Sequence, residues 1–170
     1  MVLKDASPDE QLSLLEGNLM ETNQTIVDIY SRYLFETEVI DTRADHAMSV
    51  DELKDAMLRA QEASYGDGLD PEIRHPYMWA CKSHYYSSGY NFYNFPYAFG
   101  ELFAKGVFAQ YLQKGAAFVP DYCRLLRSCG SGTIADVAAS VGIDVRNPDF
   151  WRSSLEVVKG NIDKFCELVK

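Results

Sequence analysis

HPYMWACKSHYYSSGYNFYNFPYAFGELFAKGVF, residues 75–108, is the stretch on which the reading of this chain turns. Half of the chain's Phe, Trp and Tyr residues lie between Tyr77 and Phe103, more than one buried helix face can use. Five tyrosines fall within residues 85–97 alone: Tyr85, Tyr86, Tyr90, Tyr93 and Tyr97. A buried phenol needs a hydrogen-bond partner, so cores favour Phe and Leu. A run this rich in Tyr instead suits a surface that is apolar in body and polar at the tip, as in a wall that lines a ligand. His84 and the turn Ser87-Ser88-Gly89 interrupt the run. Pro96 breaks a helix interior but fits a first turn. The spacing therefore predicts a loop that feeds a helix from Asn94 or Phe95 to about Gln113, with the loop facing a cleft.

The neighbouring segments read as helices as well. Ser7-Pro8-Asp9-Glu10 is a capping box with proline at the first helical position. From it Leu12, Leu15, Leu19, Ile26, Tyr30, Tyr33 and Leu34 recur at helical spacing, which predicts one long helix to about Ile40 with Gly17 as the place for a bend. The polar segment 41–48 reads as a loop. A second capping box, Ser49 to Glu52, opens a helix with Leu53, Met57 and Ala60 on one face, stopped at Gly66-Asp67-Gly68. Two prolines, Pro71 and Pro76, mark a turn-rich connection. Beyond the aromatic stretch, Val119-Pro120-Asp121 opens a short helix that ends at Gly130. Ser131 or Thr133 caps another that closes at Gly142, and Asn147-Pro148-Asp149 begins the last. No stretch sustains a strand period, so the expected class is all-α, a single multi-helix segment over residues 1–170.

Composition excludes several kinds of function. The 170 residues are 47% apolar, enough for a packed core. The net charge is −9 with no Lys/Arg cluster to follow phosphates, which argues against nucleic acid as a partner. No apolar run approaches the ~20 residues that span a bilayer, and the N-terminal residues carry no apolar signal core, so no membrane partner is expected and the cytoplasm is the expected compartment. Cys81, Cys123, Cys129 and Cys166 have no C-x-x-C spacing and sit among apolar neighbours, which reads as buried, reduced thiols.

The candidate chemistry is sparse. His46, His75 and His84 lack H-E-x-x-H spacing, so no metal ligands are assigned within the chain. His46 reads as solvated and His75 as a turn residue; for His84 a structural role and a functional one both remain open. Asp67-Gly68-Leu69-Asp70 lacks the alternating ligands and closing glutamate of a calcium loop. Gly130-Ser131-Gly132 lacks the lysine and spacing of a phosphate loop. A solvated face accounts for most of Glu36, Glu38, Asp41 and Asp45, and paired-carboxylate chemistry would need their burial. Tyr90, Tyr93 and Tyr97 would align on one side of a helix, as an aromatic core stripe or as a functional surface.

The run HYYSSGYNFYNFPYAFGELFAKGVF, with Ser131-Gly132 through Val141-Gly142-Ile143-Asp144 and the final amphipathic helix, resembles the C-terminal end of the oligoendopeptidase F and thimet-oligopeptidase-like zinc metallopeptidases. Leu14-Leu15-Glu16 through Arg32, Phe35 and Glu36 resembles the long helix these enzymes carry after their metal site. The resemblance covers nearly the whole chain. It implies a hydrolase, a metalloendopeptidase acting on oligopeptides, whose zinc is held by H-E-x-x-H and a further glutamate. Those residues are expected upstream of residue 1, in an N-terminal remainder that would partner this chain; the isolated chain is then expected to bind no zinc, to be inactive and to be able to form a homodimer. The resemblance places His84, Tyr90 and Tyr97 on catalytic positions that donate hydrogen bonds in the transition state, and Tyr93, Ser88, Gly89 and Asn94 on substrate-binding positions. Two other readings of the residues stand beside it, a stand-alone helical peptide-binding module and a purely structural helical domain.

Overall fold

In the computed structural model, which describes residues 5–170, every regular element is helical, as the periodicity predicts, and there is no strand among the described residues. Helix α1, Pro8–Asn23, opens on the expected capping box: the Ser7 N–H donates to Glu10 Oε2 at 2.8 Å and the Glu10 N–H returns to Ser7 Oγ at 3.4 Å. The regular ladder continues through Gly17, where a bend is expected. The irregularity comes later, in a π turn at Gln24–Asp28 that leads into α2, Ile29–Arg43. There the Ile29 N–H reaches the Gln24 carbonyl. Hydroxyls take carbonyls in and just after the widened turn: Ser31 donates to the Asp28 carbonyl at 2.6 Å and Ser64 to that of Val27.

The buried face of α2 differs from the expected one. Tyr30 and Tyr33, expected on the apolar face, are exposed, while Asp28, Ile29, Ser31, Phe35 and Glu36 are buried. Helix α2 also runs to Arg43, into the segment expected as a loop.

The contacts gather into two compact units, Met20–Phe99 and the described residues up to Leu19 together with Gly100–Lys170. In the first, α2 packs antiparallel on α3, Val50–Tyr65, with Asp28 meeting Tyr65 near one end and Glu38 pairing with Arg59 farther along. Ala56, Met57 and Ala60 of α3 bury against Phe35, the two alanines letting the backbones approach. Ser49 and Glu52 form the expected capping box, and Gly66 ends α3 with φ at 56°. The next segment is a series of short 3-10 turns, Gly66–Gly68, Pro71–Ile73, Met78–Cys81 and Ser83–Tyr86. Buried Gln61 anchors it. Its Nε2 donates to the His75 carbonyl at 3.0 Å and its Oε1 accepts the His75 N–H at 3.1 Å.

The second unit contains most of α4, Phe95–Lys114, then α5, Val119–Ser128, α6, Ile134–Ala139, and α7, Pro148–Leu168. Its apolar cluster is Val107, Phe118, Leu125, Ala138, Val141, Ile143 and Phe150. Thr133, rather than Ser131, caps α6, and Asn147 caps α7. Gly130 and Gly142 follow α5 and α6 with φ of 82° and 77°, conformations open to glycine without strain.

All four cysteines are free, but Cys81, Cys129 and Cys166 are exposed and Cys123 is half-buried, contrary to the expected burial. Apolar neighbours in sequence do not decide which side of a helical turn a residue occupies.

Candidate functional site

Two rings of the aromatic stretch, Trp79 and Tyr85, anchor it to Phe35 in the first unit's core. Phe35 of α2 stacks near Trp79, with centroids 6.3 Å apart, and meets Tyr85 at 5.4 Å. The Tyr85 hydroxyl reaches the Arg32 carbonyl at 3.3 Å. Burial, and then the charge of Glu36, push the Tyr85 phenol well above its usual range. Tyr85 is thus a neutral anchor at any ordinary pH, and it fixes the backbone that carries His84.

From that anchor the chain folds through consecutive turns. The Ser87 N–H donates to the His84 carbonyl at 3.3 Å, Tyr90 to Ser87 at 3.0 Å, Tyr93 to Tyr90 at 3.0 Å and Tyr97 to Asn94 at 3.2 Å. Only Tyr97 lies in a regular helix, in the first turn of α4, so the tyrosines meet through turns and not as the helical stripe the spacing allows. Tyr93 is the hub. Its ring stacks near that of His84 at 5.5 Å and meets Tyr90 edge-on at 5.0 Å and Tyr97 edge-on at 5.7 Å. His84 and Tyr90 are 6.4 Å apart. Tyr90, Tyr93 and Tyr97 are 50%, 43% and 45% exposed, which excludes an ordinary core stripe. The rings make one surface, apolar across its faces and carrying phenol O–H and imidazole N–H groups.

The other expected site residues divide. Ser88 and Gly89 sit exposed in the turn between His84 and Tyr90, outside the ring cluster, and Gly89 faces open space. Asn94 is only 5% exposed, and both ends of its amide are used within the chain. Its Nδ2 donates to Glu36 Oε2 at 2.7 Å, and its Oδ1 accepts the Phe95 N–H at 2.7 Å. In this conformation Asn94 braces the loop from below.

The chain is similar to Oligopeptidase PepF of Bacillus subtilis (strain 168). The two are 27% identical over 105 residues, which are 62% of this chain and 15% of PepF. The matched region is therefore a small part of that relative. No family profile and no solved structure matches the chain.

Glu36 is the site residue that sequence reasoning misplaced. It belongs to an acidic group most of which reads as a solvated face, yet it is 8% exposed, and its Oε1 accepts the Phe92 N–H at 2.7 Å. The missed signal is chemical: a carboxylate directly after Phe35, a core residue, lies close to the helix face that the core covers. Phe92 itself has φ of 54°, the one positive value at a non-glycine among the described residues. Such a conformation costs on the order of 1–3 kcal/mol, so the surrounding contacts must hold it. Tyr30 and Tyr33 were also misplaced. They stack 6.4 Å apart, and Tyr33 meets Phe92 at 5.7 Å, which carries the exposed aromatic surface onto α2.

The remaining histidines have local roles. His46 Nε2 lies 2.8 Å from Glu52 Oε1, and His75 Nδ1 accepts the Tyr77 N–H at 3.1 Å. Among the described residues no group of three or more His, Cys, Asp or Glu side chains is placed to hold a metal ion, so these residues do not fit a zinc site by themselves. No helix among them is long and apolar enough to cross a membrane.

Proposed function

We propose that this chain is a helical segment of an oligoendopeptidase F-like zinc metalloendopeptidase, and that the His84, Tyr90, Tyr93 and Tyr97 surface forms one wall of its peptide channel. The observation that carries the reading is the ring cluster itself, three half-exposed phenols and an imidazole gathered by loop turns. The similarity to an oligopeptidase supports it. Flat aromatic faces accept peptide side chains of varied shape, and the polar tips provide donors for peptide carbonyls. When a peptide carbonyl is attacked, negative charge grows on its oxygen. A phenol O–H or imidazole N–H held against that oxygen stabilises the charge without carrying a full charge of its own. The residues that hold zinc lie outside the described set in this reading, in a partner segment with the H-E-x-x-H motif.

The test joins the chain, by fusion or mixing, to a segment bearing that motif and follows cleavage of a quenched fluorescent peptide. The expected result is turnover only in the joined protein, lowered by about 10²–10³ for Tyr97→Phe or His84→Ala. Undiminished turnover in both variants would contradict the donor role, and peptide binding that never leads to cleavage in any joined form would leave a binding module instead.

A further inference from the structure

Glu36 grips the loop on both sides of Tyr93. Its Oε1 accepts the Phe92 N–H and its Oε2 accepts from Asn94 Nδ2, each at 2.7 Å. These partners flank the residue whose ring touches His84, Tyr90 and Tyr97. Asn94 passes the grip on, because its Oδ1 accepts the Phe95 N–H at the start of the helix that carries Tyr97. Glu36 also stands on α2 next to Phe35, whose ring supports Tyr85 and so the backbone of His84. One short segment of α2 therefore fixes both ends of the ring cluster. The carboxylate is nearly buried and has two hydrogen bonds from this loop, so it is coupled to the loop's geometry and cannot turn to water without leaving the Phe92 N–H and the Asn94 amide unpaired.

We infer that Glu36 is the positioning residue of the aromatic site, a carboxylate that locks Phe92 and Asn94 and thereby sets the ring of Tyr93 against His84. The peptide-binding consequence rests on the function proposed above; the positioning itself does not. Exchange of the two polar groups makes the idea testable. Glu36→Gln keeps the length of the side chain and an acceptor for Phe92, but sets an amide NH2 against the Asn94 NH2. Adding Asn94→Asp reverses the pair: the new glutamine donates to the new carboxylate, which still accepts the Phe95 N–H and lies favourably at a helix N-terminus.

The experiment is carried out on the whole chain by NMR of the His84 ring C–H signals, followed by titration with an unlabelled synthetic octapeptide of mixed apolar and polar side chains. In the unmodified chain the stacked Tyr93 ring is expected to displace the His84 signals from the free-histidine position. Glu36→Gln is expected to remove most of that displacement and to weaken the peptide by about tenfold, and the double variant to restore both. A residue with a merely structural role would lower the melting temperature while leaving the His84 signals in place, and that result, or failure of the double variant to restore them, would overturn the inference. If Glu36→Gln does not fold, Asn94→Ala removes one grip and keeps the other. It is expected to move the His84 signals in the same direction, and unmoved signals would again overturn the inference. If the His84 signals respond as expected but the unmodified chain takes no peptide, the channel-wall reading falls and the positioning role of Glu36 stands.

Discussion

At the scale of single residues, carboxylates fix several local contacts. Glu52 accepts from the Ser49 N–H at 2.7 Å, from His46 at 2.8 Å and from the Ser49 hydroxyl at 2.8 Å. In that order these donors hold its carboxyl at about 2, below its ordinary value of 4.5. Because the folded value is the lower one, the carboxylate contributes stability that is present above 4.5 and is lost as pH falls toward 2. The group is fully exposed, so the effect is a shift of melting temperature across that window and not a large loss. Glu52→Gln cannot titrate, and its melting temperature is expected to vary less than that of the unmodified chain between those two pH values. Equal slopes for the two proteins would show that the capping contact is not held in solution. Tyr65 is a case of the opposite sign: burial first, and then the charge of Asp28, push its phenol up to about 12, so it stays neutral and keeps donating to Asp28.

At the scale of the elements, one contact and one cap make the sharpest predictions. A Cβ on Gly106 of α4 would stand 2.5 Å from Phe150 Cζ and 2.7 Å from Ser154 Oγ of α7. The phenyl ring is buried in the second unit's apolar cluster and cannot swing aside freely. Gly106→Ala is therefore expected to destabilise by about 1–3 kcal/mol despite the better helix propensity of alanine. Urea unfolding measures it, and a neutral or stabilising change would mean that α4 and α7 do not approach this closely. At the start of α7, Asn147 Oδ1 accepts the Asp149 N–H at 2.9 Å, ahead of Pro148 in the first turn. Asn147→Ala removes that acceptor and should cost about 1 kcal/mol, whereas Asn147→Asp should be nearly neutral. Caps of this kind at Ser7, Ser49 and Asn147 were legible in the sequence, as were the stops at Gly66, Gly130 and Gly142, because each depends on residues within one helical turn. The π turn at Gln24–Asp28 was not, since nothing in its composition distinguishes it from the helix around it.

At the scale of the whole molecule, the two apolar clusters share no residue. Met57→Ala in one should cost about 2–5 kcal/mol and Phe118→Ala in the other about 3–5 kcal/mol. Substitutions without shared partners add to within about 0.5 kcal/mol. The double variant is expected to show that sum in denaturant unfolding; a clear departure would mean that the clusters are energetically coupled. The exposed aromatics belong to this scale too, for an acidic chain that leaves Tyr30, Tyr33, Tyr90, Tyr93 and Tyr97 in water keeps a surface suited to an apolar or mixed ligand.

The sequence by itself determined the helical class, the ends of most helices and the place of the aromatic stretch, because capping boxes, prolines and glycines act on backbone within a few residues of themselves. It also named His84, Tyr90, Tyr93 and Tyr97, through their chemistry and their resemblance to a known family. Only the tertiary structure decided which way these side chains face and what supports them. Glu36 reaches Phe92 and Asn94 across 56 and 58 positions of sequence. Its burial depends on the loop that packs over α2 at that point, and no local pattern records either fact. Short-range hydrogen bonds write the elements into the sequence, while the site arises from long-range contacts whose register is set when those elements pack.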